Sequence, residues 1–312
     1  MSEFYNYFPL TSPESYFVPD LAERYSRLVA GMDAASALTV SRTLRILKML
    51  TDADAVGAPH PAMGAVFTPD EVAAIVRSDI TIHSGVMQIA DDAWAFGEYI
   101  LPLPTFEHCT FVDHCGLDAF DRAAIAPDTA ILDVGGWVGD TAILFHGYFP
   151  KNKIYSFEPL AENFELMQRT IALNNATDAI VPVPLALSDT SDGVGHAMHF
   201  HGFSSGISRL NDAGTDTFAV DTLDNWAAKN NIGKIGLLKV DIEGAEQKFL
   251  RGAAATIRRD RPVMLLSIYH NPDDYFGIKP LVESMNLNYK FKIFKPMERD
   301  VITETLLICV PE

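Results

Sequence analysis

The sequence predicts an α/β fold: a mostly parallel seven-stranded sheet with helices on both faces, preceded by a mainly helical region. Three observations predict it. From about residue 130, short apolar segments alternate with helical ones, the texture of successive βαβ units. Before residue 105, apolar residues recur instead at helical spacing. Between the two, an apolar run at 130–134 enters a glycine-rich turn that opens a helix.

Taken in order, residues 21–32 and 36–50 read as helices, the second carried by Leu38, Leu44, Ile46, Leu47 and Leu50. Residues 54–67 form a Gly/Pro-rich loop. Thr68-Pro69-Asp70-Glu71 then has the order of a helix start: Thr68 caps, Pro69 takes the first helical position, and Glu71 closes a capping box for a helix through Val76. Strands are expected at 130–134, 153–158, 180–187, 236–241 and 263–270, with helices at 141–149, 161–173 and from Ala245. Residues 190–222 read as a polar excursion with short hairpin strands. The last two strands, 289–294 and 303–310, are expected to pair antiparallel. Two domains follow: 1–104, a helical cap or oligomerisation surface for a homodimer, and 105–312, the site-bearing domain.

Composition narrows the function. A net charge of −17 argues against a broad phosphate-binding surface, so nucleic acid is not an expected partner. No apolar run is long enough to span a bilayer, and the opening MSEFYNYFPL is not a secretory leader. Cys109, Cys115 and Cys309 make an odd set that suits a reduced compartment. A cytoplasmic protein acting on a small molecule or saccharide is the expectation.

Residues 131–141 carry the cofactor prediction. A dinucleotide turn, G-x-G-x-x-G from Gly135, fails at Trp137 and Asp140. The segment instead fits D-x-G-x-x-x-G with Asp133, Gly135 and Gly139, the pattern of class I methyltransferases, and Gly136 adds freedom to the turn. Asp140 and Thr141 open the helix, where a carboxylate would repel a pyrophosphate but tolerate the zwitterionic end of S-adenosylmethionine. Glu158, before Pro159, is placed to accept the ribose hydroxyls. Leu187 offers the adenine an apolar face, and Ser188 or Asp189 a polar edge.

Further blocks resemble the FkbM family of methyltransferases. These are Phe157-Glu158-Pro159 with Asn163-Phe164 and Leu173-Asn174; Ala186-Leu187-Ser188-Asp189; Thr222-Leu223-Asp224; and above all Lys239-Val240-Asp241-Ile242-Glu243-Gly244-Ala245-Glu246, which is similar to the family's K-x-D-x-E-G-x-E signature. Tyr269-His270-Asn271-Pro272-Asp273-Asp274 also resembles a family segment. The resemblance spans about residues 100–310. It implies a Rossmann-like class I fold, S-adenosylmethionine as cofactor, and methylation of oxygen, less often nitrogen, on sugars or other metabolites. Trp137 departs from it, since the family commonly has a small polar residue there.

Methyl transfer to a hydroxyl requires alignment of the acceptor and removal of its proton. Asp241 and Glu243, at the tip of the fourth strand, and His270, at the tip of the fifth, are the catalytic candidates. His270 is preferred as general base because imidazole titrates near neutrality. Asp241 would orient the acceptor or face the cofactor's sulfonium end. These three could also hold a divalent ion, but nothing in the sequence demands one, and none is expected. His108-Cys109 and His114-Cys115 repeat a ligand pair at a spacing unlike zinc fingers, and read better as packing. Two other functions compete: an NAD-dependent oxidoreductase, opposed by the glycine spacing, and a binding protein that keeps the fold without catalysis.

Overall fold

The computed structural model describes residues 12–197 and 216–312. Four helices come first, α1 (Leu21–Val29), α2 (Ala34–Ala55), α3 (Met63–Val66) and α4 (Pro69–Gly85). A small antiparallel sheet follows, β1 (Met87–Ala90), β2 (Ala93–Phe96) and β3 (Tyr99–Leu101). After α5 (His108–Phe111) the alternation begins: β4 (Ala130–Val134), α6 (Asp140–Tyr148), β5 (Ile154–Phe157), α7 (Ala161–Leu173) and β6 (Ile180–Val183). Next come β7 (Ala186–Leu187), β8 (Gly193–Ala197), β9 (Asp216–Asp221), α8 (Leu223–Lys229) and β10 (Ile235–Val240). The chain ends with α9 (Glu246–Gly252), α10 (Ala254–Asp260), β11 (Val263–Ser267), α11 (Pro272–Glu283), β12 (Tyr289–Phe294) and β13 (Leu306–Pro311).

The main sheet has seven strands in the order β12-β13-β11-β10-β4-β5-β6. Only β13 runs antiparallel to its neighbours, β12 and β11. Strand order reverses between β4 and β10, and ligands of such sheets bind outside the carboxyl ends at that crevice. Strand alternation divides the core in two. Leu132, Val134, Leu238, Val240, Met264 and Leu266 face one layer, where they meet Leu47, Leu50, Phe249 and Tyr275. Ile131, Leu237 and Leu265 face the other, against Ile143, Leu144, Phe145 and Met167. Because α1 and α2 contribute Leu28, Val40 and Leu47 to the first layer, the helices before residue 104 share the sheet's core.

The capping box forms as the sequence predicts: Glu71 N–H donates to Thr68 Oγ1 (3.3 Å), and Thr68 N–H to Glu71 Oε2 (2.8 Å). That helix runs nine residues beyond Val76, to Gly85. The region before 105 is mainly helical, as expected, and closes with β1 to β3, which turn at Asp91-Asp92 and Gly97-Glu98 in strands too short to show a period. This small sheet is tied to α7 by Asn174, which accepts from Ile100 N–H (3.0 Å) and donates to its carbonyl (2.6 Å). One expectation needs correction: residues 180–187 are not one strand. Across Pro184 the Leu185 N–H turns back to the Val183 carbonyl (2.9 Å), which ends the pairing of β6 with β5, and β7 joins β9 in a separate three-stranded sheet. The predicted hairpin in 190–222 is the antiparallel β8–β9 pair, while residues 198–215 of that excursion lie outside the described residues.

Candidate active site

The turn after β4 is fixed by contacts that leave no room for side chains. Gly135 and Gly136 N–H both donate to the Phe157 carbonyl, at 3.1 and 2.8 Å, which ties the turn to β5. Gly135 has φ +81°, and a Cβ there would lie 1.8 Å from the Asp241 carbonyl oxygen. A Cβ on Gly136 would lie 2.0 Å from Ser156 Oγ. Gly139, at φ +85°, starts α6 in the left-handed region. Trp137 also has positive φ (+42°), and it lines the cavity in front of the turn.

That cavity holds about 1170 Å³ of empty space, part of it open to solvent. It runs across the carboxyl ends of β5, β4 and β10. At one end Glu158 meets an apolar wall that includes Leu160, Leu187 and Phe218. Glu158 is buried and accepts a hydrogen bond from Leu160 N–H at 2.9 Å. Burial outweighs that bond, those from Asn163 and Trp137, and the charge of Lys239, and pushes its pKa up to about 7. In the middle lie Gly135, Asp140 and Thr141. Asp140 is raised to about 6, again chiefly by burial, with Lys239 opposing.

The other end is acidic. Glu107, Asp241, Glu243 and Glu304 line it, together with Tyr269 and Lys239. Tyr269 O–H stands 3.0 Å from Glu304 Oε1 and 3.3 Å from Asp241 Oδ1. Lys239 Nζ donates to the Gly135 carbonyl (2.7 Å) and lies 3.4 Å from Asp133 Oδ1.

Five of the expected cofactor residues do not line the cavity; Gly136 and Gly139 lie within the turn itself, and three sit elsewhere. Asp133 is fully buried behind the turn, accepting from Ser156 O–H at 2.7 Å, so it shapes the turn and does not line the cavity. Ser188 and Asp189 also do not line it: Ser188 N–H bonds to the Asp221 carbonyl, and Asp189 pairs with Arg251 Nε at 3.2 Å. The short β7 carries its polar end away from the cavity, leaving Leu187 in its wall.

The larger correction concerns His270, whose side chain is only 2% exposed and does not line the cavity. Its Nδ1 is 3.0 Å from Glu246 Oε1, and its Nε2 is 3.2 Å from Asp241 Oδ1. The ring angles fall short of ideal hydrogen bonds, yet the two carboxylates flank the imidazole at ion-pair distance. Burial would discharge the ring, but Glu246 and Asp241 overcome it and raise its pKa well above the usual value. A charged imidazolium has no lone pair for a proton. His270 and Asp241 therefore form an ion pair beside the cavity.

Asp241, Glu246 and His270 are also the one set of three ligand atoms, among the described residues, that lies within 4.8 Å. The ring presents a different nitrogen to each carboxylate, an arrangement that suits a shared proton better than a shared ion. Incubation with EDTA is accordingly expected to leave turnover unchanged. Loss of turnover that manganese or magnesium restores would assign this cluster to a metal. The His-Cys pairs do not gather their four ligand groups: His108 faces Asp113 and His114 faces Asp118, while Cys109 and Cys115 are buried.

A methyltransferase FkbM domain model matches residues 133–293, just over half of the chain. The chain belongs to the FkbM methyltransferase family. Among curated proteins it is 26% identical over 165 residues to Methyltransferase 1 of Beauveria bassiana, covering 46% of this chain and 64% of that one. It is 25% identical over 202 residues to the 2-O-methyltransferase NoeI of Sinorhizobium fredii, covering 58% and 79%. Among solved structures, the FkbM methyltransferase of Methylobacillus flagellatus superimposes with a TM-score of 0.60 at 15% identity, over 95% of this chain and 60% of that one. The chain thus spans under two thirds of the first of these curated relatives and of this solved neighbour. That neighbour shares the seven-stranded methyltransferase fold, the class the sequence predicts.

Sequence reasoning passed over Glu107 and Glu304. Both lie in irregular segments, outside any strand or helix and any motif, so only tertiary structure brings them to Asp241.

Proposed function

We propose that this FkbM-family protein transfers a methyl group from S-adenosylmethionine to a hydroxyl of a neutral small molecule or saccharide. One observation carries the reading. A single cavity crosses the sheet's reversal point and joins a ribose-type carboxylate, Glu158, to an acidic end built by Asp241, Glu243, Glu304 and Tyr269. The cofactor fits the first part: glycines admit its backbone approach, Glu158 takes its ribose, and Leu160, Leu187 and Phe218 take its adenine. When bound, it supplies a methyl group already activated on a sulfonium. The acidic end would face the acceptor, accept hydrogen bonds from its hydroxyls and repel phosphate or carboxylate groups. NoeI, named a 2-O-methyltransferase, supports oxygen as the target.

No described residue before 105 lines the cavity, because α1 and α2 pack on α11 and β12. This argues against a cap and supports the oligomerisation reading, for which Leu38, Ile80 and Met87 are exposed. No described helix is long and apolar enough to cross a membrane.

Calorimetric titration with S-adenosylmethionine, and separately with NAD, tests the proposal. Saturable binding of the former alone is expected; binding of NAD alone would replace the reading with an oxidoreductase. The pH dependence has a definite sign. Ribose hydroxyls donate to the ionised carboxylate, whereas Glu158 in the free protein is protonated below about pH 7. Binding must therefore expel a proton on the acid side, and affinity should tighten from pH 5.5 to 7 by up to ~10-fold per unit. Glu158→Gln should bind more weakly at pH 8 and lose this dependence.

A further inference from the structure

Two carboxylates share one hydroxyl at the acidic end of the cavity. Tyr269 O–H lies 3.0 Å from Glu304 Oε1 and 3.3 and 3.4 Å from the two oxygens of Asp241. A phenol has one proton to donate. If both carboxylates were ionised, one would face the phenol oxygen's lone pairs. A proton on Glu304 resolves this: Glu304 donates to Tyr269, and Tyr269 donates to Asp241. Asp241 is the partner that stays ionised, since His270 and Lys239 both stand by it. The odd proton therefore belongs to Glu304 in the resting protein, and it must leave to solvent before that carboxyl can accept another.

We propose that Glu304 is the base that takes the acceptor's proton, with Tyr269 as the residue that positions it. This rests on the methyltransferase reading above. As the acceptor's O–H bond breaks, its proton goes to the Glu304 carboxylate and its electron pair forms the new O–CH3 bond. The electron pair of the broken S–CH3 bond stays on sulfur. Glu304 then returns the proton to solvent through the open side of the cavity. Two of the expected candidates are less suited. His270 does not reach the cavity, and Asp241 is too weak a base while two cations hold it ionised. Glu304 is joined to the cavity and hydrogen-bonded by a hydroxyl on its flank.

The groups facing Glu304 set its titration. Asp241 on the β10 side, Glu298 from the β12–β13 connection and Glu107 before α5 are acidic neighbours, with Cys109 nearby. Tyr269 at the end of β11 and Lys239 on β10 oppose them. Burial first, then Asp241 and Glu298, push Glu304 up to about 8. A base poised there is mostly protonated at pH 7 and fully competent only above pH 8.

Two measurements test this together. Infrared difference titration of the full chain reads the carboxyl directly. A carboxylic C=O band that disappears as pH rises through about 8 is expected in the wild type, absent in Glu304→Gln, and shifted to higher pH in Tyr269→Phe. Methyl glucoside, methyl mannoside and methyl fucoside serve as probe acceptors with labelled S-adenosylmethionine. The wild-type rate should rise with pH to a plateau above about 8, and Glu304→Gln should lose ~10²- to 10⁴-fold in kcat with cofactor affinity unchanged. A Glu304→Gln variant with the wild-type pH profile, or with the wild-type carboxyl band intact, overturns the assignment. Failure of the wild type to bind S-adenosylmethionine would instead overturn the functional reading, leaving the infrared result to decide the protonation state.

Discussion

Gly135→Ala is expected to abolish S-adenosylmethionine binding and to destabilise the fold by about 3 kcal/mol or more. Two costs add. The residue holds φ +81°, which costs a side-chain-bearing residue about 1–2 kcal/mol. The new methyl would also lie 1.8 Å from the Asp241 carbonyl oxygen and 2.8 Å from its carbon. Neither side can yield easily. Asp241 N–H donates to the Val134 carbonyl at 2.9 Å, and Val134 pairs in register with Val240. Moving the turn would also break its bonds to Phe157 and the Lys239 bond to the Gly135 carbonyl. Gly233→Ala is the control, since nothing lies within 4 Å of its added carbon. Thermal unfolding and calorimetry should separate the two variants. A Gly135→Ala protein that binds cofactor like the wild type would show that the cofactor does not pass over this turn.

The legible part of this protein is the part whose chemistry is local. The run from Ala130 to Asp140 announces strand, turn and helix within a dozen residues, because glycine conformation and strand hydrophobicity are short-range properties. Glu158 before Pro159 is legible for the same reason, and so is the Thr68 capping box. What was illegible depends on tertiary contact. Residues 180–187 split at Pro184, but which sheet takes Ala186-Leu187 is decided by β9, more than thirty residues away. His270 was a reasonable base by residue type; only the fold reveals Glu246 and Asp241 on either side of its ring. Glu304 falls inside the strand expected at 303–310, but β13 starts only at Leu306, and Glu304 precedes it in a turn with positive φ (+60°).

Lys239→Met should destabilise the protein by about 3–5 kcal/mol near pH 8, and by much less near pH 5. Lys239 is 7% exposed and is the cation around which Asp133, Asp140 and Asp241 gather. Burial alone would discharge it, but those three carboxylates together outweigh burial and keep it protonated. Methionine of similar length fills the space but leaves Asp133 and Asp140 without a counter-ion, Asp241 with His270 alone, and the Gly135 carbonyl without its donor. The carboxylates would respond by taking up protons. Asp140, already at about 6 with Lys239 present, would rise further, and its neighbours with it. A folded-state pKa raised above the unfolded value near 4 gives stability that is present at low pH and lost as pH rises through the folded value. The variant's deficit should therefore grow from pH 5 to pH 8, whereas a pure packing defect would be the same at both. Urea denaturation at the two pH values decides between them. An equal loss at both would mean that Lys239 acts through its shape and its bond to Gly135, and that the three aspartates do not depend on its charge.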